Sequence, residues 1–436
     1  MAKADDGWKI ACGDVRKELS KLPPHHFHCM VTSPPYFQLR DYDLPRQVWG
    51  GDAKCKHQWG PQITRKVATG SSMRLGRFCK QCEAWEGSLG LEPTPDLFVE
   101  HFVEVMRSVR RVLRKDGVCY IVIGDSYWDQ GSRGGIKPGD LIGIPWRLGM
   151  ALQADGWYLR CDIIYSKKNP TPESVSGWSN ELVLDKNRKK VPCEKCEDGS
   201  CGECWDGWEV RTRRASWRPT KSHEYVLMLT PSRTYFCDQE AVREEMERSK
   251  FKGGRRVEDK ANRPVDPDDT TGRNPRSVWT HATYPFKEAH FAVYSEGLIV
   301  NPILSATSDV GCCPTCGAAW VRVMEKTYPK ARDDRGRKSS LAEQRMGKSP
   351  PPERGWEVTR KTIGWVPSCD CSDHDPIPCR VLDPFVGTGT TIIASRTYGR
   401  ECVGVELSRE YCDMARKRIR KELRGRRIHR SREVIE

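Results

Sequence analysis

The segment Val31–Phe37, with the sequence VTSPPYF, places a hydroxyl, a carbonyl and an aromatic ring on one short turn. Two consecutive prolines end a strand and cannot continue into a helix interior, so they fix the direction of the chain. Ser33 Oγ and the Pro34 carbonyl are hydrogen-bond acceptors, and Tyr36 adds a flat ring. The segment therefore presents two acceptors and a stacking surface on a stiff backbone, which we call the elbow.

A second segment, VLDPFVGTGTT at residues 381–391, has the pattern of a strand, an acidic residue, a tight glycine turn and a helix. This pattern places a ligand at the carboxyl end of a strand, above a helix N-terminus. Gly387 and Gly389 would let the backbone approach the ligand closely. The spacing is not the dinucleotide GxGxxG, and the lysine of a P-loop is missing. Three hydroxyls suited to a small carboxylate stand at the helix start: Thr388, Thr390 and Thr391.

Glu406 ends the next predicted strand, where a carboxylate can accept hydrogen bonds from both hydroxyls of a ribose. A ligand that has a ribose and a carboxylate but no phosphate is S-adenosylmethionine. The competing interpretation is an ordinary strand–helix turn capped by a threonine.

Together, the two segments resemble the DNA amino-methyltransferases, which modify N4 of cytosine or N6 of adenine. The motifs are Ser33-Pro34-Pro35-Tyr36 and Asp383-Pro384-Phe385-x-Gly387-x-Gly389, in the order of the permuted β class of that family. Five further blocks resemble the family: GDVRKELSKLP (13–23), IVIGDSY (121–127), IIYSKKNPTPES (163–174), HEYVLML (223–229) and HFAVYSEGLIVNPI (290–303).

The resemblance implies an α/β fold: a Rossmann-like S-adenosylmethionine-dependent methyltransferase fold, circularly permuted, with zinc-binding insertions. It implies that the elbow is catalytic, through Ser33, Pro34, Pro35 and Tyr36. The implied cofactor-binding residues are Asp14, Thr32, Phe291, Asp383, Pro384, Phe385, Gly387, Thr388, Gly389, Thr390, Thr391 and Glu406. In such a sheet, the strand that ends at Val31 should lie beside the strand that ends at Asp383.

The expected reaction is methyl transfer from S-adenosylmethionine to the exocyclic amine of a base. That amine is a poor nucleophile because its lone pair is delocalised into the ring, and two acceptors against its hydrogens free the lone pair. Stacking on Tyr36 would contribute roughly 1–3 kcal/mol, and a base in duplex DNA must first be flipped out. Serine at the first elbow position is commoner among the N4-cytosine members, which favours cytosine over adenine.

Three alternatives compete with this interpretation. A cytosine C5 enzyme would need a cysteine nucleophile, but neither Pro192-Cys193 nor Pro378-Cys379 follows its own strand as that role requires. A zinc-bearing nucleic-acid-binding protein with an inactive methyltransferase core is opposed by the intact elbow and glycine loop. An RNA methyltransferase would share the same motifs.

Twenty cysteines in a chain that starts without an export signal favour a reducing cytoplasm, where paired cysteines are metal ligands. Two CxxC pairs within a dozen residues form a strong zinc motif. The predicted ligands of two to three structural Zn²⁺ sites are Cys193, Cys196, Cys201 and Cys204; Cys55, His57, Cys79 and Cys82; and Cys313, Cys316, Cys369 and Cys371. Cys312, Cys379 and His374 are rival ligands for the last site.

The 73 lysines and arginines exceed the 59 aspartates and glutamates by 14, which favours an anionic partner such as double-stranded DNA. The family resemblance adds expectations of a homodimer and a cognate restriction endonuclease, and no run is apolar enough for a membrane span. The predicted regions are 1–49 with 94–170 (catalytic half), 50–93 (zinc-binding insertion), 171–280 (target recognition, with a core strand near 223–230), 281–311 (cofactor closure), 312–379 (zinc-binding insertion with a basic loop) and 380–436 (cofactor-binding half).

Overall fold

A computed structural model describes residues 6–66, 72–132, 134–170, 179–184, 208–213, 218–245, 272–282, 294–327, 359–371 and 375–426. Within these residues the helices are α1 (Val15–Ser20), α2 (Pro95–Val112), α3 (Ile144–Ala154), α4 (Glu296–Ser305), α5 (Thr390–Thr397) and α6 (Arg409–Leu423). A short 3-10 helix covers Gln239–Val242.

The strands of the first half are β1 (Trp8–Cys12), β2 (Phe27–Thr32), β3 (Gln47–Trp49), β4 (Thr64–Lys66), β5 (Ser72–Arg74), β6 (Arg77–Phe78), β7 (Trp85–Gly87), β8 (Leu113–Ile123), β9 (Tyr158–Lys167), β10 (Ser179–Leu184) and β11 (Trp208–Arg213). Those of the second half are β12 (His223–Thr230), β13 (Glu244–Glu245), β14 (Gly272–Arg273), β15 (Val278–His281), β16 (Val321–Thr327), β17 (Thr359–Val366), β18 (Arg380–Asp383) and β19 (Glu401–Glu406).

Eight strands form the central sheet in the order β1-β19-β18-β2-β8-β12-β9-β15. The five strands from β1 to β8 run parallel, and β12 joins β8 in the antiparallel sense. The predicted neighbours are confirmed, because β2 pairs with β18 in parallel, with Cys29 opposite Val381 and Met30 opposite Leu382. Parallel strands need both faces covered, and every residue of β2 is buried.

The two faces of the sheet carry separate cores. Met30 points to a core that includes residues of α1, α2 and α3. Its neighbours Cys29 and Val31 point to the opposite core, which includes residues of α4, α5 and α6. This alternation gives a three-layer α/β/α architecture, as the Rossmann-like fold class predicts.

The segment PDLFVEHFVEVMRSVRRVLRKDG is helical over a shorter range than its periodicity predicts. Helix α2 ends at Val112, and Leu113 already has extended backbone angles. Strand β8 begins there because Leu113 pairs with Phe27 of β2. Arg114 and Asp116, two residues apart, form an ion pair with Nε 2.8 Å from Oδ1. Tertiary pairing therefore converts the predicted last turn of the helix into strand.

The chain divides into two compact units, Met1–Ser166 with Glu224–Glu436, and Lys167–His223. The second unit contains the antiparallel pair β10–β11, with Ser179 opposite Arg213 and Leu184 opposite Trp208. The predicted core strand near 223–230 is present as β12 of the central sheet. Among the described residues, no helix has the length and apolar character that crossing a membrane requires.

Candidate active site and cysteine clusters

The elbow and the glycine loop meet at the carboxyl edge of the sheet. Strand β2 delivers Thr32 to this edge and β18 delivers Asp383, because the two strands are paired in parallel. Thr32 Oγ1 donates a hydrogen bond of 2.6 Å to Asp383 Oδ1. Thr32 and Asp383 are 351 positions apart in the sequence, so this hydrogen bond directly connects the two motifs.

Asp383 is fully buried and holds the two motifs together through both carboxylate oxygens. Oδ1 also accepts the Phe385 N–H at 3.0 Å, while Oδ2 accepts the hydroxyls of Thr391 and of Tyr294, the latter at 3.2 Å. Burial raises the pKa of Asp383, and these hydrogen bonds offset part of the rise. Since four donors surround the carboxylate, its direct effect is to fix the loop and Thr32.

The glycine loop has left-handed backbone angles at both glycines, with φ of 49° at Gly387 and 88° at Gly389. A Cβ at Gly389 would lie 2.7 Å from Ile419 Cδ1, so this glycine is needed for close packing on α6. Among the residues that the structure describes, a Cβ at Gly387 would meet only the Phe385 carbonyl oxygen, at 4.0 Å. The loop is therefore packed tightly on one side and open at Gly387.

Glu406, at the end of β19, connects this loop to the neighbouring strand. Its Oε2 accepts the Gly387 N–H at 3.1 Å and its Oε1 accepts the Ser408 N–H at 2.9 Å. Burial raises the pKa of Glu406, and the backbone hydrogen bonds partly offset this. The predicted pair of glycine loop and carboxylate is thus brought together.

Arg418 of α6 is a loop-binding residue that the sequence patterns do not single out. Its Nη1 donates to the hydroxyls of Thr388 and Thr390, at 2.8 and 2.9 Å, and its Nε lies 2.8 Å from Glu422. These two threonines were predicted to meet a ligand carboxylate, and here they accept from a guanidinium. Arg418 and Glu422 stand four apart on a helix, which is the available sequence signal for an ordered arginine.

The elbow carries a directed chain of hydrogen bonds. Tyr36 Oη donates to Glu224 Oε2 at 2.8 Å, and Ser33 Oγ donates to Tyr36 Oη at 3.4 Å. Burial raises the pKa of Tyr36, and the nearby Glu224 charge raises it further, so the phenol keeps its proton. The Tyr36 ring lies against Gly124, where an added Cβ would be 2.7 Å from Cε2.

Glu224 lies in the block HEYVLML and Gly124 in the block IVIGDSY, which the family resemblance identified as whole segments. Neither residue was assigned a role from the sequence. The sequence signal for Glu224 was a carboxylate at the start of an otherwise apolar strand. The signal for Gly124 was a glycine immediately after an apolar strand. Their contact with Tyr36 depends on β12 lying next to β8, which periodicity cannot show.

Asp14 follows β1 and caps α1. Its Oδ1 accepts the Arg16 N–H at 2.9 Å, and its Oδ2 lies 2.8 Å from Arg16 Nη2. Burial acts to raise the pKa of Asp14, but the hydrogen bonds and charge of Arg16 outweigh it and hold the pKa below 3.8. The residue predicted to bind the adenine side of the cofactor is therefore an ionised N-cap at the same edge of the sheet.

Two of the predicted zinc ligand sets converge in space, and ligand atoms within each set lie within 4.8 Å of one another. The first set, which we call the cysteine–histidine cluster, is Cys55, His57, Cys79 and Cys82. The second, which we call the four-cysteine cluster, is Cys313, Cys316, Cys369 and Cys371. Within the cysteine–histidine cluster, the Cys55 and Cys79 sulfurs are 3.9 Å apart, and Cys82 Sγ is 3.3 Å from His57 Nδ1.

Two of the rival ligands group elsewhere. Cys312 and Cys379 lie with His28, and all three are buried. His28 Nδ1 accepts the Arg380 N–H at 3.0 Å, and its Nε2 lies 2.9 Å from the Gly317 carbonyl oxygen. Both ring nitrogens therefore have backbone partners. Six residues predicted as cofactor-binding residues, metal ligands or rival ligands lie outside the described residues: Phe291, Cys193, Cys196, Cys201, Cys204 and His374.

Known proteins of one family are similar to this chain. The chain matches the DNA methylase family of N6 and N4 methyltransferases over residues 27–312 and 380–417. It is 28% identical to the type II methyltransferase M.SmaI of Serratia marcescens, covering 94% of this chain and 90% of that protein. It is also 28% identical to the type II methyltransferase M.Cfr9I of Citrobacter freundii, with coverage of 94% and 87%. Among solved structures, a PvuII DNA methyltransferase described as cytosine-N4-specific aligns with a TM-score of 0.45 and 11% identity, covering 95% of this chain and 93% of that one.

The family match identifies an S-adenosylmethionine-dependent DNA methyltransferase, and the mostly parallel central sheet fits that class. The chain belongs to the N6/N4 DNA methylase family. The predicted family, the Rossmann-like α/β fold and the enzyme class are thereby confirmed, while zinc binding by the insertions stays a prediction. The family contains both N6 and N4 methyltransferases, so the match does not distinguish adenine from cytosine as the modified base.

Proposed function

We propose that this protein methylates the exocyclic amine of a base flipped out of duplex DNA at a specific sequence, with N4 of cytosine as the favoured target. The observation that carries the proposal is the hydrogen-bonded chain from Ser33 through Tyr36 to Glu224, at the sheet edge that also holds the glycine loop. Its relatives M.SmaI and M.Cfr9I are type II methyltransferases, which supports a role in sequence-specific modification.

The direction of this chain determines what Ser33 offers to the base. A carboxylate accepts hydrogen bonds, so Tyr36 donates to Glu224 and its oxygen accepts from Ser33. The Ser33 proton then points toward Tyr36, and the lone pairs of Oγ are left for the N–H of the target amine. Together with the Pro34 carbonyl, they draw electron density toward the amine nitrogen. The proton that the amine releases can pass to Ser33 Oγ while the Ser33 proton passes to Tyr36 and the Tyr36 proton passes to Glu224, so that each hydroxyl is restored and the carboxylate gains one proton.

The residues present fit S-adenosylmethionine, which supplies an electrophilic methyl group when bound. The open face at Gly387 gives the cofactor access to the loop backbone, and Glu406 is the carboxylate for its ribose. Asp383 acts indirectly, since it fixes the loop relative to Thr32 and hence relative to the elbow. The protein contributes position and electrostatics, which are the main catalytic terms for a direct transfer.

The choice of N4-cytosine over N6-adenine depends on Ser33. A neutral hydroxyl at the first elbow position resembles the N4-cytosine members, whereas an aspartate is commoner among the N6-adenine members. Tritium transfer from labelled cofactor to duplex DNA, followed by nucleoside chromatography, tests both levels of the proposal. N4-methylcytosine is expected, N6-methyladenine would overturn the choice of base, and binding without transfer would overturn the reaction.

We also propose that the cysteine–histidine cluster and the four-cysteine cluster each bind one structural Zn²⁺. Four ligands within 4.8 Å of one another suit a closed tetrahedral site that leaves no position for water. The third set, Cys193 to Cys204, adds a further expected site. Metal analysis of the purified protein should give two to three zinc ions per chain, and a zinc-free folded protein would contradict this.

Double-stranded DNA is the proposed partner, and the net charge of +14 supports it. Target recognition is proposed for residues 171–280 together with the insertion at 50–93, and closure over the cofactor for 281–311. A homodimer and a cognate restriction endonuclease stay predictions. Sequencing DNA from cells that express the protein, with detection of modified bases, would give the recognition sequence. Parallel labelling of duplex RNA distinguishes an RNA methyltransferase.

A further inference from the structure

Glu92, near the end of the first insertion, and His101 of α2 form a buried pair of titratable side chains. The Glu92 side chain is 0% exposed and the His101 side chain 5%, and Glu92 Oε1 lies 3.0 Å from His101 Nδ1. Burying such a pair is costly, and well-packed apolar residues of the same volume are often as stable or more so. The pair therefore calls for a reason other than stability.

Glu92 organises the short segment 90–92. Its second oxygen, Oε2, accepts the Gly90 N–H at 2.8 Å. Its backbone carbonyl accepts from Gln38 Nε2 at 2.7 Å, while the Gln38 N–H donates to the Gly90 carbonyl at 2.6 Å. Segment 90–92 is thus hydrogen-bonded to the buried Glu92 carboxylate on one side. On the other side it is hydrogen-bonded to Gln38, which follows Tyr36 of the elbow by two positions.

Segment 90–92 also touches the elbow itself. Gly90 has φ of 93°, and a Cβ there would lie 3.0 Å from Pro35 Cβ and 3.2 Å from the Tyr36 carbonyl oxygen. Gln38 has φ of 47°, a left-handed conformation that is rare without glycine. Its side-chain oxygen accepts from Arg65 and Gln130, each at 2.8 Å. The chain leaving the elbow is therefore held in a strained conformation by several bonds.

The His101 ring connects this arrangement to the cysteine–histidine cluster. Its centroid is 4.8 Å from that of Trp49 and 5.2 Å from that of Trp85, with interplanar angles of 23° and 24°. The two tryptophans are partners in the β3–β7 pair. Cys82 of that cluster lies three positions before Trp85, so the loop that carries the cluster leads directly into strand β7.

We propose that Glu92 and His101 are positioning residues that hold segment 90–92 against the elbow, so that the pocket for the target base, but not the cofactor site, depends on them. The inference rests on the proposed function of the elbow. A small displacement of Pro35 and Tyr36 would move the acceptors away from the amine. Loss of the pair should therefore lower the rate of methyl transfer while cofactor affinity is kept.

The test compares Glu92→Ala with Glu92→Gln and with a matched variant at the other edge of the sheet. Asp238 and Arg322 form an equally buried pair, with Asp238 Oδ2 2.8 Å from Arg322 Nη2. Single-turnover methyl transfer at saturating DNA and cofactor, calorimetric cofactor affinity and the thermal midpoint are measured for each, at a temperature where all are folded. Glu92→Ala should slow transfer on the order of tenfold to a hundredfold with cofactor affinity unchanged.

Glu92→Gln should keep more of the rate, since its amide oxygen can accept the Gly90 N–H. Arg322→Ala should lower the thermal midpoint and transfer at the wild-type rate, because Arg322 lies outside the proposed target-recognition region. A wild-type rate in Glu92→Ala, or an equal loss in Arg322→Ala, would overturn the inference. If Glu92→Ala does not fold, His101→Phe decides, because it keeps a ring between the tryptophans and removes the hydrogen bond. Wild-type protein without any transfer would instead refute the proposed function.

Discussion

The cysteine–histidine cluster and the four-cysteine cluster lie at opposite edges of one sheet. The four-cysteine loop contacts the amino ends of the parallel strands, since Gly317 bonds to His28 of β2 and the Cys316 carbonyl accepts from Arg114 of β8 at 2.8 Å. The cysteine–histidine loop leads into strand β7 of the Trp49–Trp85 pair, and segment 90–92 that follows it touches the elbow at the carboxyl edge. The two clusters have similar ligand spacing, but among the described residues it is the segment after the cysteine–histidine loop that contacts the elbow.

This difference distinguishes the effect of an insertion on catalysis from its effect on stability. At the amino edge, the cysteine pairs of the four-cysteine cluster flank the hairpin β16–β17, so we expect this cluster to affect stability and not the reaction. At the carboxyl edge, the cysteine–histidine cluster belongs to a continuous set of contacts that ends on Pro35. In parallel α/β sheets, ligands bind at the carboxyl edge. The location of an insertion therefore predicts whether its loss affects catalysis or stability.

The largest difference in methyl-transfer rate between the two edges is expected from Ser33→Ala at the carboxyl edge and Ser368→Ala at the amino edge. Ser33 Oγ is a proposed acceptor for the amine, so its loss should slow methyl transfer on the order of a hundredfold, as for other preorganised groups at a reacting centre. Ser368 Oγ donates to the Ala319 carbonyl at 2.6 Å near the four-cysteine cluster, and its loss should leave the rate unchanged.

Single-turnover kinetics at saturating cofactor separate these outcomes, with cofactor affinity measured in parallel. Equal rates for wild type and Ser33→Ala would refute the role assigned to the hydroxyl.

A smaller effect is expected from Glu224→Ala, which removes the acceptor of Tyr36 Oη. The chain of hydrogen bonds then loses its direction, and transfer should slow by about tenfold, the cost of one strong hydrogen bond. Tyr36→Phe should give a similar loss, and the double variant should lose little more than either single variant. Additive losses in this double-mutant cycle would show that the two residues act separately.

Much of this fold follows from sequence patterns. β2, β18 and β19 appear as short apolar runs bounded by turn residues, and α2 has apolar residues at helical spacing. The end of α2 was not predictable, because pairing of Leu113 with Phe27 decides it. Parallel neighbours far apart in sequence have no local signal, so the contact of β2 with β18 was inferred from the family resemblance.

The site was predictable to a similar degree. Residues within one motif, such as Gly387 and Gly389, are apparent from spacing. The ligand sets of the two clusters also follow from spacing, since their members lie in close pairs. Residues that act across elements, such as Glu224 on Tyr36 or Arg418 on Thr388, have ordinary residue types in ordinary helices and strands. Their partners are fixed only by packing, which is why the sequence did not reveal them.

The two clusters themselves can be compared through Cys82→Ser and Cys316→Ser. Each variant should bind one zinc fewer than wild type. Cys82→Ser should slow methyl transfer several-fold to about tenfold in the folded protein, because it loosens the support of Trp85 and His101. Cys316→Ser should lower the thermal midpoint and keep the rate. Zinc content, thermal midpoint and single-turnover rate measured together check this, and equal rate losses in both variants would remove the distinction between the edges.

The smallest expected effect at the carboxyl edge comes from Asp14→Ala. Asp14 caps α1 and pairs with Arg16, whose guanidinium carbon lies 3.7 Å from the centre of a Trp49 ring. Loss of an N-cap typically costs about 1 kcal/mol of unfolding free energy. Because the folded pKa of Asp14 is below 3.8, its stabilising contribution is fully present above pH 3.8 and is lost as the pH falls through the folded pKa.

Urea unfolding of wild type and Asp14→Ala should therefore show a constant difference from neutral pH down to about pH 5, since the carboxylate stays ionised throughout that range. The difference should narrow only in more acidic solution. A difference that already narrows near neutral pH would contradict a lowered pKa. Since Arg16 keeps its contact with Trp49 in the variant, methyl transfer should fall less than in Glu92→Ala. A rate loss as large as that of Glu92→Ala would instead place Asp14 among the residues on which the reaction itself depends.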